Sequence, residues 1–371
     1  MKVLQIGKFF YPVRGGVETV AYDIAELLNS KKIKCDVLCT NKNQTTTIEL
    51  HNGYKVYRSG IIGSAFSTQI SLQYIKTLKN IIDDYDILHV HLPNPLANIA
   101  IILANTKDKK IVLHWHSDII KQKYLLKLYR PFQNWLLKKA DAIIGTSQNY
   151  IDNSSDLLPF RYKCVPIPIG IDPHRLLAEH HKVKNIKEKF SGKKIILSLG
   201  RHVYYKGFNY LIEAAQYLSD DYVILIGGDG PLTSVMHDRI KTLNLTNRVF
   251  LIGSIPGNDL GSYFEACDVF CLPSIMKSEA FGIVQIEAMS FGKPIVATNI
   301  QGSGTSWVNE NKVSGLNVDI KNPEQIASAI YNITCESVRY REYCNSSFER
   351  FNQFFHRNVM IDHIIKLYQT L

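Results

Sequence analysis

The residues best suited to chemistry lie in one run, DVFCLPSIMKSEAFGIVQIEAMSFGKPIVAT, at positions 268–298. Two apolar segments typical of buried strands enclose a turn and a predicted helix whose first turn covers residues 280–283. A helix start presents unpaired N–H groups and the positive end of the dipole, and Gly282 lets a ligand approach them. An anion could bind there. Glu279 and Glu287 flank this point, and eight residues of helix predict carboxylates on roughly one side, about 12 Å apart along the axis.

Such a separation is too long for an acid–base pair acting on one bond. It suits two carboxylates that each bind one end of an elongated ligand with an anionic centre. The alternative is that Glu279 is a charge at a helix N-terminus and Glu287 a solvated surface residue. We favour binding because the pair brackets a glycine at a helix start. Apolar residues then supply the core face, namely Ile283, Ile286, Ala288, Met289 and Phe291.

A second candidate is the segment GRHVYYKG at residues 200–207, which follows a predicted strand and precedes a helix starting near Phe208. Arg201 and Lys206 would then lie at the carboxyl end of a strand, over a helix N-terminus. Two cations and two glycines in that position form a suitable grip for a diphosphate. In an unrelated loop the same two side chains would only be solvated.

Two further glycine turns join strands to helices. Residues 226–231, IGGDGP, include Gly228, although glycine turns of this type are common. Residues 12–18, PVRGGVE, include Gly15 and Gly16 and open the first helix. This turn differs from the dinucleotide-binding pattern G-x-G-x-x-G, which argues against a nicotinamide-dependent enzyme.

Histidines occur in pairs near two predicted strand ends, in ILHVHLPNP and VLHWHSD. Alternation places each pair on one face of its strand. The four residues are His89, His91, His114 and His116. A metal site is conceivable, but no carboxylate has ligand spacing, and such histidines usually form hydrogen bonds in a core. The sequence D-x-D at 84–86 precedes a strand, which indicates a solvated segment, so we predict no metal site.

These residues need a scaffold, and the hydrophobic pattern predicts strands alternating with helices throughout. The break between two such halves falls at residues 165–175, which contain PIPIGIDPHR. Residues 47–59 indicate a short hairpin, and residues 348–369 one or two amphipathic helices. The predicted strands are 3–8, 35–40, 87–91, 111–116, 142–146, 194–200, 222–226, 248–252, 268–272, 294–298 and 315–319. The predicted helices of the first half are 17–29, 72–82, 95–104 and 124–140.

Length and composition fit a two-domain intracellular protein. The chain has 371 residues, enough for two separate cores. No run is apolar enough to span a bilayer, and the N-terminus enters a strand without the features of a signal peptide. Seven cysteines, without a C-x-x-C motif, indicate core packing in a reducing compartment. We therefore expect a cytoplasmic location.

The positive charge is unevenly distributed. Residues 1–170 hold 22 Lys/Arg and 13 Asp/Glu and so carry nine of the ten net positive charges. Nucleic acid and anionic membranes are the usual partners of such asymmetry, and no nucleic-acid motif accompanies it. Residues 121–139 form a basic, aromatic segment that fits either an ordinary surface helix or a helix on an anionic membrane. Peripheral membrane binding is our expectation.

The E-x7-E pair in SEAFGIVQIEAMSFGKPIVAT closely resembles the donor-site signature of glycosyltransferase family 4, whose members are retaining enzymes of GT-B fold. The resemblance extends over nearly the whole chain. It implies an α/β protein with two Rossmann-like parallel-sheet domains facing an interdomain cleft. The domains would be an acceptor-side domain, 1–170, and a nucleotide-sugar-binding domain, 171–347, with residues 348–371 crossing back onto the first.

The resemblance also implies roles for individual residues. Arg201 and Lys206 would hold the donor diphosphate and stabilise it as the leaving group, together with the backbone at Phe281, Gly282 and Ile283. Glu287 would accept hydrogen bonds from ribose hydroxyls and Glu279 from sugar hydroxyls. The turn at Gly228 would lie close to the nucleotide. Gly15 and Gly16 would reach the donor phosphates, with Arg14 a weaker candidate, and His116 would contact the transferred sugar, with Asp118 and His91 as lesser candidates.

In function, the resemblance implies transfer of a hexose from a nucleotide diphosphate sugar with retained configuration and without metal or other cofactor. The segments YPVRGGVE, VLHWHSD and GRHVYYKGFNYLIEAA look most like members that build bacterial surface polysaccharides, many of them mannosyltransferases. GDP-mannose is therefore favoured over a UDP-hexose, and the acceptor would be a lipid-linked or polysaccharide glycan. The alternatives are a nucleotide-sugar 2-epimerase of the same fold and a non-catalytic nucleotide-sugar binder.

Overall fold

The computed structural model describes residues 1–13, 15–65, 68–119 and 123–371, with the side chains of 123–126 excepted. Arg14 and Lys121, both named from the sequence, lie outside this described part. The chain divides into two compact units. Unit 1 comprises Met1–Gly170 and Arg357–Leu371, and unit 2 comprises Ile171–His356.

Unit 1 is built on an eight-stranded sheet in the order β10-β9-β8-β7-β1-β2-β4-β3. Its pairings are parallel except for the antiparallel β3–β4 hairpin. All six residues of β7 are buried, as expected for a strand covered on both faces. The strands of this unit are β1 (Lys2–Ile6), β2 (Lys34–Thr40), β3 (Thr47–His51), β4 (Tyr54–Ser59), β5 (Gly63–Ala65), β6 (Thr68–Ile70), β7 (Ile87–Leu92), β8 (Lys110–Trp115), β9 (Ala142–Gly145) and β10 (Cys164–Pro166).

Several helices of unit 1 start at residues whose side chains cap them. Ser71 and Asn94 each accept a hydrogen bond from the backbone N–H three residues later, and Pro95 occupies the first helical position after Asn94. Such caps satisfy donors that the helix itself leaves unpaired. The helices are α1 (Gly16–Ser30), α2 (Leu72–Ile81), α3 (Pro95–Leu103), α4 (Lys123–Lys139) and α5 (Gln148–Asn153).

Unit 2 contains a six-stranded parallel sheet in the order β13-β12-β11-β14-β15-β16. Its strands are β11 (Lys194–Leu199), β12 (Tyr222–Gly227), β13 (Val249–Gly253), β14 (Val269–Leu272), β15 (Ile295–Thr298) and β16 (Gly315–Val318). The helices are α6 (His180–Lys189), α7 (Phe208–Ala214), α8 (Thr233–Thr242), α9 (Leu260–Ala266), α10 (Ile283–Met289), α11 (Thr305–Val308), α12 (Pro323–Thr334) and α13 (Ser337–Arg350). Helices alternate with the strands, as in a Rossmann-like domain.

The C-terminal segment predicted at 348–371 is divided between the two units. A π-helical turn, Phe351–Phe355, follows α13 in unit 2. The last helix, α14 (Arg357–Gln369), belongs to unit 1 and packs near α1, where Arg357 approaches Asp23 at 3.4 Å. Buried apolar side chains of α14, including Met360, Ile361 and Ile364, join the core of that unit.

Most predicted elements are confirmed to within two residues, and the hairpin at 47–59 is present as β3 and β4. The helix predicted to start at residue 280 is wrong in its start. Its residues 280–282 precede α10, which begins at Ile283, and Gly282 adopts a left-handed φ of 77° as its N-cap. An added Cβ at Gly282 would lie 2.7 Å from a Leu272 methyl group, so only glycine fits this turn.

Candidate active site

In unit 2, the sheet order reverses between β11 and β14, which are neighbours although three helices and two strands separate them in sequence. Loops that leave such neighbouring strands open a crevice at their carboxyl ends, where α/β sheets bind ligands. The loops touch directly, since an added Cβ at Gly207 would lie 2.1 Å from the carbonyl oxygen of Pro273. The backbone N–H of Ile275 also donates to the carbonyl of Tyr205 at 2.8 Å.

This contact brings together two residues predicted separately. The ammonium of Lys206 lies 2.6 Å from Oε2 of Glu279, and each side chain is only 11% exposed. The hydroxyl of Ser274 donates to the same carboxylate oxygen at 2.9 Å. Since a largely buried ammonium is weakly screened, it interacts more strongly with an anionic ligand than a solvated one would.

Glu287 projects from α10 and is partly buried. Burial raises the pKa of its carboxyl group to about 7, against the opposing effect of the Lys206 charge. The positive charge of Lys206 therefore acts on both predicted carboxylates. Within the described ranges, the Glu287 side chain has no hydrogen bond or ion pair, so its oxygens are available to a ligand.

The prediction that one helix spaces Glu279 and Glu287 is wrong. Glu279 lies in the loop four residues before α10 begins, so the two carboxylates are not two turns apart on one helix. Their grouping depends instead on Lys206, which reaches Glu279 from the loop after β11. The residues are therefore grouped by a tertiary contact between two loops and not by their spacing along one helix.

The remaining unit 2 candidates surround this group. Arg201 is exposed and has no ion pair among the described residues, which leaves its guanidinium open to a ligand. Gly228 packs against the first loop, where an added Cβ would lie 2.0 Å from the carbonyl oxygen of Gly200. Phe281 is buried, and the N–H groups of Ile283 and Val284, the first two residues of α10, have no intrahelical acceptor.

In unit 1, the strand order reverses between β1 and β7. Gly15 caps α1 in an extended conformation, with φ of −178°, and Gly16 is the first helical residue. The backbone N–H of Thr19 donates to the Gly15 carbonyl at 2.9 Å. The predicted glycine turn thus opens a 15-residue helix beside the carboxyl end of β1.

The paired histidines all lie on one face of this sheet. His91 is opposite His114 in the β7–β8 register, and the rings of His114 and His116 stack at 4.3 Å between centroids. Nδ1 of His91 lies 3.0 Å from Nε2 of His116, and Nε2 of His89 lies 3.2 Å from Nδ1 of His114. At one end, His89 is bonded to the hydroxyl of Tyr368 from α14.

Burial keeps these histidines neutral. It lowers the pKa of His116 to about 3. Burial, together with the neighbouring rings, also holds the pKa values of His89, His91 and His114 well below their ordinary range. A neutral imidazole keeps one ring nitrogen as an acceptor, so His116 can accept a hydrogen bond at pH 7.

Asp118 and His91 were lesser candidates, and both have internal partners. The Asp118 carboxylate accepts from the indole of Trp115 at 2.9 Å and from the hydroxyl of Ser154 at 2.7 Å. His91 lies between His116 and Gln5, at 2.6 Å from the Gln5 amide oxygen. These contacts hold the loop after β8 and leave His116 as the most exposed histidine of the four, at 8%.

One group in the described part of the chain has the ligand types of a metal site. Ring nitrogens of His89, His91 and His114 lie within 4.8 Å of one another. The group contains no carboxylate or thiolate to offset a divalent charge, and its rings already bond to one another, to Gln5 and to Tyr368. Hydrogen-bonded core histidines account for the arrangement. The D-x-D sequence lies at the opposite, amino end of β7, where Asp86 accepts from the Lys2 N–H.

Two protein-family models match the chain. Residues 14–175 match the family model described as Glycosyltransferase Family 4, and residues 179–346 match that of Glycosyl transferases group 1. The chain is 33% identical to the O-antigen chain mannosyltransferase C of Escherichia coli, over 100% of this chain and 99% of that protein. This chain belongs to glycosyltransferase family 4. It is also 31% identical to the D-rhamnosyltransferase WbpZ of Pseudomonas aeruginosa, covering 89% of this chain and 86% of that protein.

Solved structures show that this glycosyltransferase has the GT-B fold. Anabaena Alr3699/HepE in complex with UDP superposes with a TM-score of 0.76 at 19% identity, covering 100% of both chains. Sucrose-phosphate synthase from Thermosynechococcus elongatus gives a TM-score of 0.77 at 18% identity, covering 100% of this chain and 99% of that chain. Two Rossmann-like domains with parallel sheets, as the sequence predicted, are confirmed.

In this glycosyltransferase, residues 123–139 of the basic segment form the helix α4. Leu128, Phe132 and Trp135 follow one another at helical spacing and are 74%, 49% and 39% exposed. Tyr129 instead packs inward and accepts a hydrogen bond from Asn98 at 3.0 Å. Exposed cations flank the apolar row, namely Lys127, Arg130, Lys138 and Lys139. Among the described helices, none is long and apolar enough to cross a membrane.

Sequence reasoning missed three residues of these sites. Gln5 and Tyr368 complete the histidine network, and Ser274 holds Glu279. Gln5 had a local signal, because it is a polar residue inside the apolar strand KVLQI. Tyr368 had none, since its partner His89 lies 279 positions away in the chain. Ser274 is only five residues from Glu279, but a serine in a turn does not by itself indicate that contact.

Proposed function

We propose that this glycosyltransferase transfers a hexose, with mannose favoured, from a nucleotide diphosphate sugar to a lipid-linked or polysaccharide acceptor during assembly of a bacterial surface glycan. The observation that carries the proposal is the Lys206–Glu279 pair beside Glu287 at the switch point of the unit 2 sheet. A cation between two carboxylates matches a ligand that has hydroxyls on both sides of a diphosphate.

The donor is proposed to be GDP-mannose, with a UDP-hexose as the second choice. Relatives named as a mannosyltransferase and a D-rhamnosyltransferase support the first. A protein of the same fold that binds UDP and UDP-glucose supports the second. Both donors present the same diphosphate to Arg201 and Lys206.

Each unit 2 residue is proposed to hold one part of the donor. Glu279 accepts hydrogen bonds from the sugar hydroxyls and Glu287 from the ribose hydroxyls. Lys206, with Arg201 and the backbone at Phe281, Gly282 and Ile283, stabilises the negative charge that develops on the departing diphosphate. Stabilisation of developing charge is usually the largest catalytic contribution. The turn at Gly228 lies beside the nucleotide.

Unit 1 is proposed to contribute His116 and the turn at Gly15 and Gly16. His116 contacts the transferred sugar through its accessible ring edge, and the glycine turn contacts the donor phosphates. His116 is a hydrogen-bond partner and not an acid, since a pKa of about 3 keeps it neutral at physiological pH.

The configuration at the sugar is proposed to be retained by front-face attack. In this scheme the leaving phosphate oxygen takes the proton of the acceptor hydroxyl, so no side-chain nucleophile is required. Lys206 and Arg201 supply the positive charge at the diphosphate, and a divalent cation is not required.

The acceptor is proposed to be reached at the inner face of the cytoplasmic membrane. The exposed apolar row of α4 and its flanking cations suit an anionic bilayer surface. A basic, amphipathic surface of this kind would hold unit 1 at the membrane, where a lipid-linked glycan resides.

A donor panel tests the proposal. Purified protein is incubated with GDP-mannose, GDP-rhamnose, UDP-glucose and UDP-galactose, each labelled in the sugar, with and without lipid-extracted acceptor. We expect acceptor-dependent transfer from GDP-mannose and slow hydrolysis without acceptor. Interconversion of the sugar without transfer would instead identify an epimerase, and binding without turnover would identify a non-catalytic binder.

Two variants connect the panel to the site. Glu279→Gln should lower transfer strongly, because the amide keeps the shape but loses the charge that holds Lys206. Glu324→Gln is the matched control, since Glu324 is exposed on α12 of the same unit. Full transfer by Glu279→Gln would contradict the proposed sugar contact.

A further inference from the structure

Three polar side chains from neighbouring strands form a continuous hydrogen-bonded chain in unit 1. The amide oxygen of Gln5, on β1, lies 2.6 Å from Nε2 of His91, on β7. Nδ1 of His91 lies 3.0 Å from Nε2 of His116, directly after β8. Gln5 is fully buried and His91 is 2% exposed, so no solvent competes for these bonds.

The direction of this chain follows from the chemistry of its first member. An amide oxygen can only accept, so Nε2 of His91 must carry a proton. A neutral His91 then has no proton on Nδ1, which accepts from Nε2 of His116. A neutral His116 in turn has no proton on its own Nδ1.

The two conditions for this assignment are met in the structure. Burial lowers the pKa values of both His91 and His116, so both rings are neutral near pH 7. The ring of His116 stacks against His114 at 4.3 Å and 11°, which fixes its plane. Its Nδ1 has no hydrogen-bond partner within the described ranges, and His116 is the most exposed of the four histidines.

We infer that Gln5 and His91 are positioning residues that fix His116 as the Nε2–H tautomer, with Nδ1 as a free acceptor that takes a hydroxyl group of the substrate. The inference rests on the proposed function for the statement that the ligand is a sugar. An anionic or carbonyl oxygen offers no proton to this nitrogen and would be repelled by its lone pair. The device therefore selects a hydroxyl at the position facing His116.

Nitrogen NMR of the full chain tests the tautomer directly. Protein labelled with ¹⁵N-histidine is recorded between pH 6 and 8, and the His116 signals are assigned by their loss in His116→Asn. We expect a protonated Nε2 and an unprotonated Nδ1 for both His91 and His116 across this range. His363→Gln, an exposed histidine of unit 1, is the control and should leave these signals unchanged.

A Gln5→Leu variant tests whether Gln5 sets the tautomer. Loss of the acceptor frees His91 to exchange its proton between nitrogens, so the Nδ1–H form of His116 should appear in the spectrum. We expect kcat/KM for GDP-mannose to fall by about tenfold, the loss of roughly one good hydrogen bond. Affinity for GDP should stay unchanged. Gln5→Glu keeps an acceptor oxygen and should restore the Nε2–H tautomer, which a merely structural defect would not do.

The outcomes separate this inference from the proposed function. A His116 that carries its proton on Nδ1, or that is charged at pH 7, in the wild-type spectrum overturns the inference even if transfer is observed. The expected tautomers in a protein that turns over no nucleotide sugar leave the positioning device standing and refute the proposed function. If Gln5→Leu does not fold, the wild-type spectrum still decides.

Discussion

In unit 1, four neutral histidines lie together on one face of the sheet, three of them stacked, whereas unit 2 has a lysine and two glutamates at its switch point. The histidines of this sheet hydrogen-bond to one another, to Gln5 and to Tyr368, whereas in unit 2 Lys206 and Glu279 pair through opposite charges. The difference indicates what each can bind. A neutral stack suits a hydroxyl group, and a buried ammonium suits an anion.

The units also differ in net charge and in their response to pH. Unit 1 holds 24 Lys/Arg and 14 Asp/Glu, whereas unit 2 holds 19 of each. The four paired histidines of unit 1, at positions 89, 91, 114 and 116, have lowered pKa values, and Glu287 of unit 2 has a raised one. Protonation of these histidines at low pH therefore costs folding stability in unit 1, and ionisation of the Glu287 carboxyl at high pH costs folding stability in unit 2.

The largest effect should come from Lys206→Met, which leaves the charge of Glu279 largely buried without its cation. Breaking such a pair costs about 3–5 kcal/mol of unfolding free energy, and loss of a leaving-group cation should lower kcat about 10²–10³-fold. Chemical denaturation and initial transfer rates measure the two effects.

The matched control for Lys206→Met is Lys184→Met, which removes an exposed ion pair with Glu188 in the same unit. It should change neither quantity measurably. The double variant Lys206→Met/Glu279→Leu should regain stability and remain inactive. Normal turnover by Lys206→Met would show that the Lys206 charge does not stabilise the leaving group, and unit 2 would then not differ from unit 1 in binding an anion through this lysine.

As the pH falls, unit 1 should lose stability at a higher pH than unit 2. An unfolded histidine takes a proton below its ordinary pKa of 6.5, whereas folded His116 does so only near 3. Stability is thus fully present above 6.5 and is lost as pH falls towards 3, by up to about 1.4 kcal/mol per pH unit for each histidine. Hydrogen exchange at pH 7 and pH 5, analysed by mass spectrometry for each unit, measures the difference.

Replacing one ring sharpens this result. His114→Phe removes one titrating group from the stack and should reduce the pH slope by about one proton. His237→Gln, an exposed histidine of unit 2, should leave the slope unchanged. A pH-independent unit 1 would show that the stack is charged or solvated.

A smaller effect is expected at Glu287, where the pKa of about 7 places ionisation in the assay range. If the carboxylate accepts from ribose hydroxyls, affinity for GDP should rise roughly fivefold between pH 6 and pH 8, and Glu287→Gln should abolish that rise. Because the folded pKa is raised, its contribution to stability is present below 4.5 and is lost as pH rises through 7. Calorimetric titration of GDP at several pH values, with Glu324→Gln as the control, decides this.

The charge difference between the units predicts membrane binding through α4. Each cation near an anionic surface contributes about 1 kcal/mol, screened by salt. The triple variant Lys127→Glu/Lys138→Glu/Lys139→Glu should therefore sediment less with anionic vesicles. The same three changes at Lys184, Lys187 and Lys189 of α6 in unit 2 should have no effect. Equal sedimentation with neutral and anionic vesicles, or no sedimentation with either, would refute the peripheral membrane role. It would leave the proposed transferase activity unaffected.

The smallest expected effect is that of a chelator. Since Lys206 and Arg201 supply the charge at the diphosphate, EDTA should leave the transfer rate within about twofold of its starting value. Loss of activity in EDTA that manganese or magnesium restores would show that a cation takes part, and the histidine group would then be re-examined by substitution.

Much of the fold was predictable because buried parallel strands have short, continuous apolar sequences. The segment YVILIG of β12, with every residue buried, can be recognised as a strand without knowledge of its partners. The E-x7-E context identified the family from residue types alone. The start of α10 was missed, because Gly282 adopts a left-handed conformation that the sequence allows but does not require.

The candidate sites depended on contacts between distant segments. Pairing of Lys206 with Glu279 requires β11 to lie beside β14, and 73 positions separate those two residues in the chain. Likewise, the chain from Gln5 through His91 to His116 requires β1, β7 and β8 to be neighbours in register.

Sequence by itself therefore determined the family, the two Rossmann-like domains and the residue types at the candidate site of unit 2. Only the tertiary structure decided which charges pair, which histidines are neutral and which ring nitrogen of His116 meets His91. The physical reason is that strand identity depends on neighbours along the chain. A pKa or a tautomer depends on burial and on hydrogen-bond partners that the sheet order brings from elsewhere.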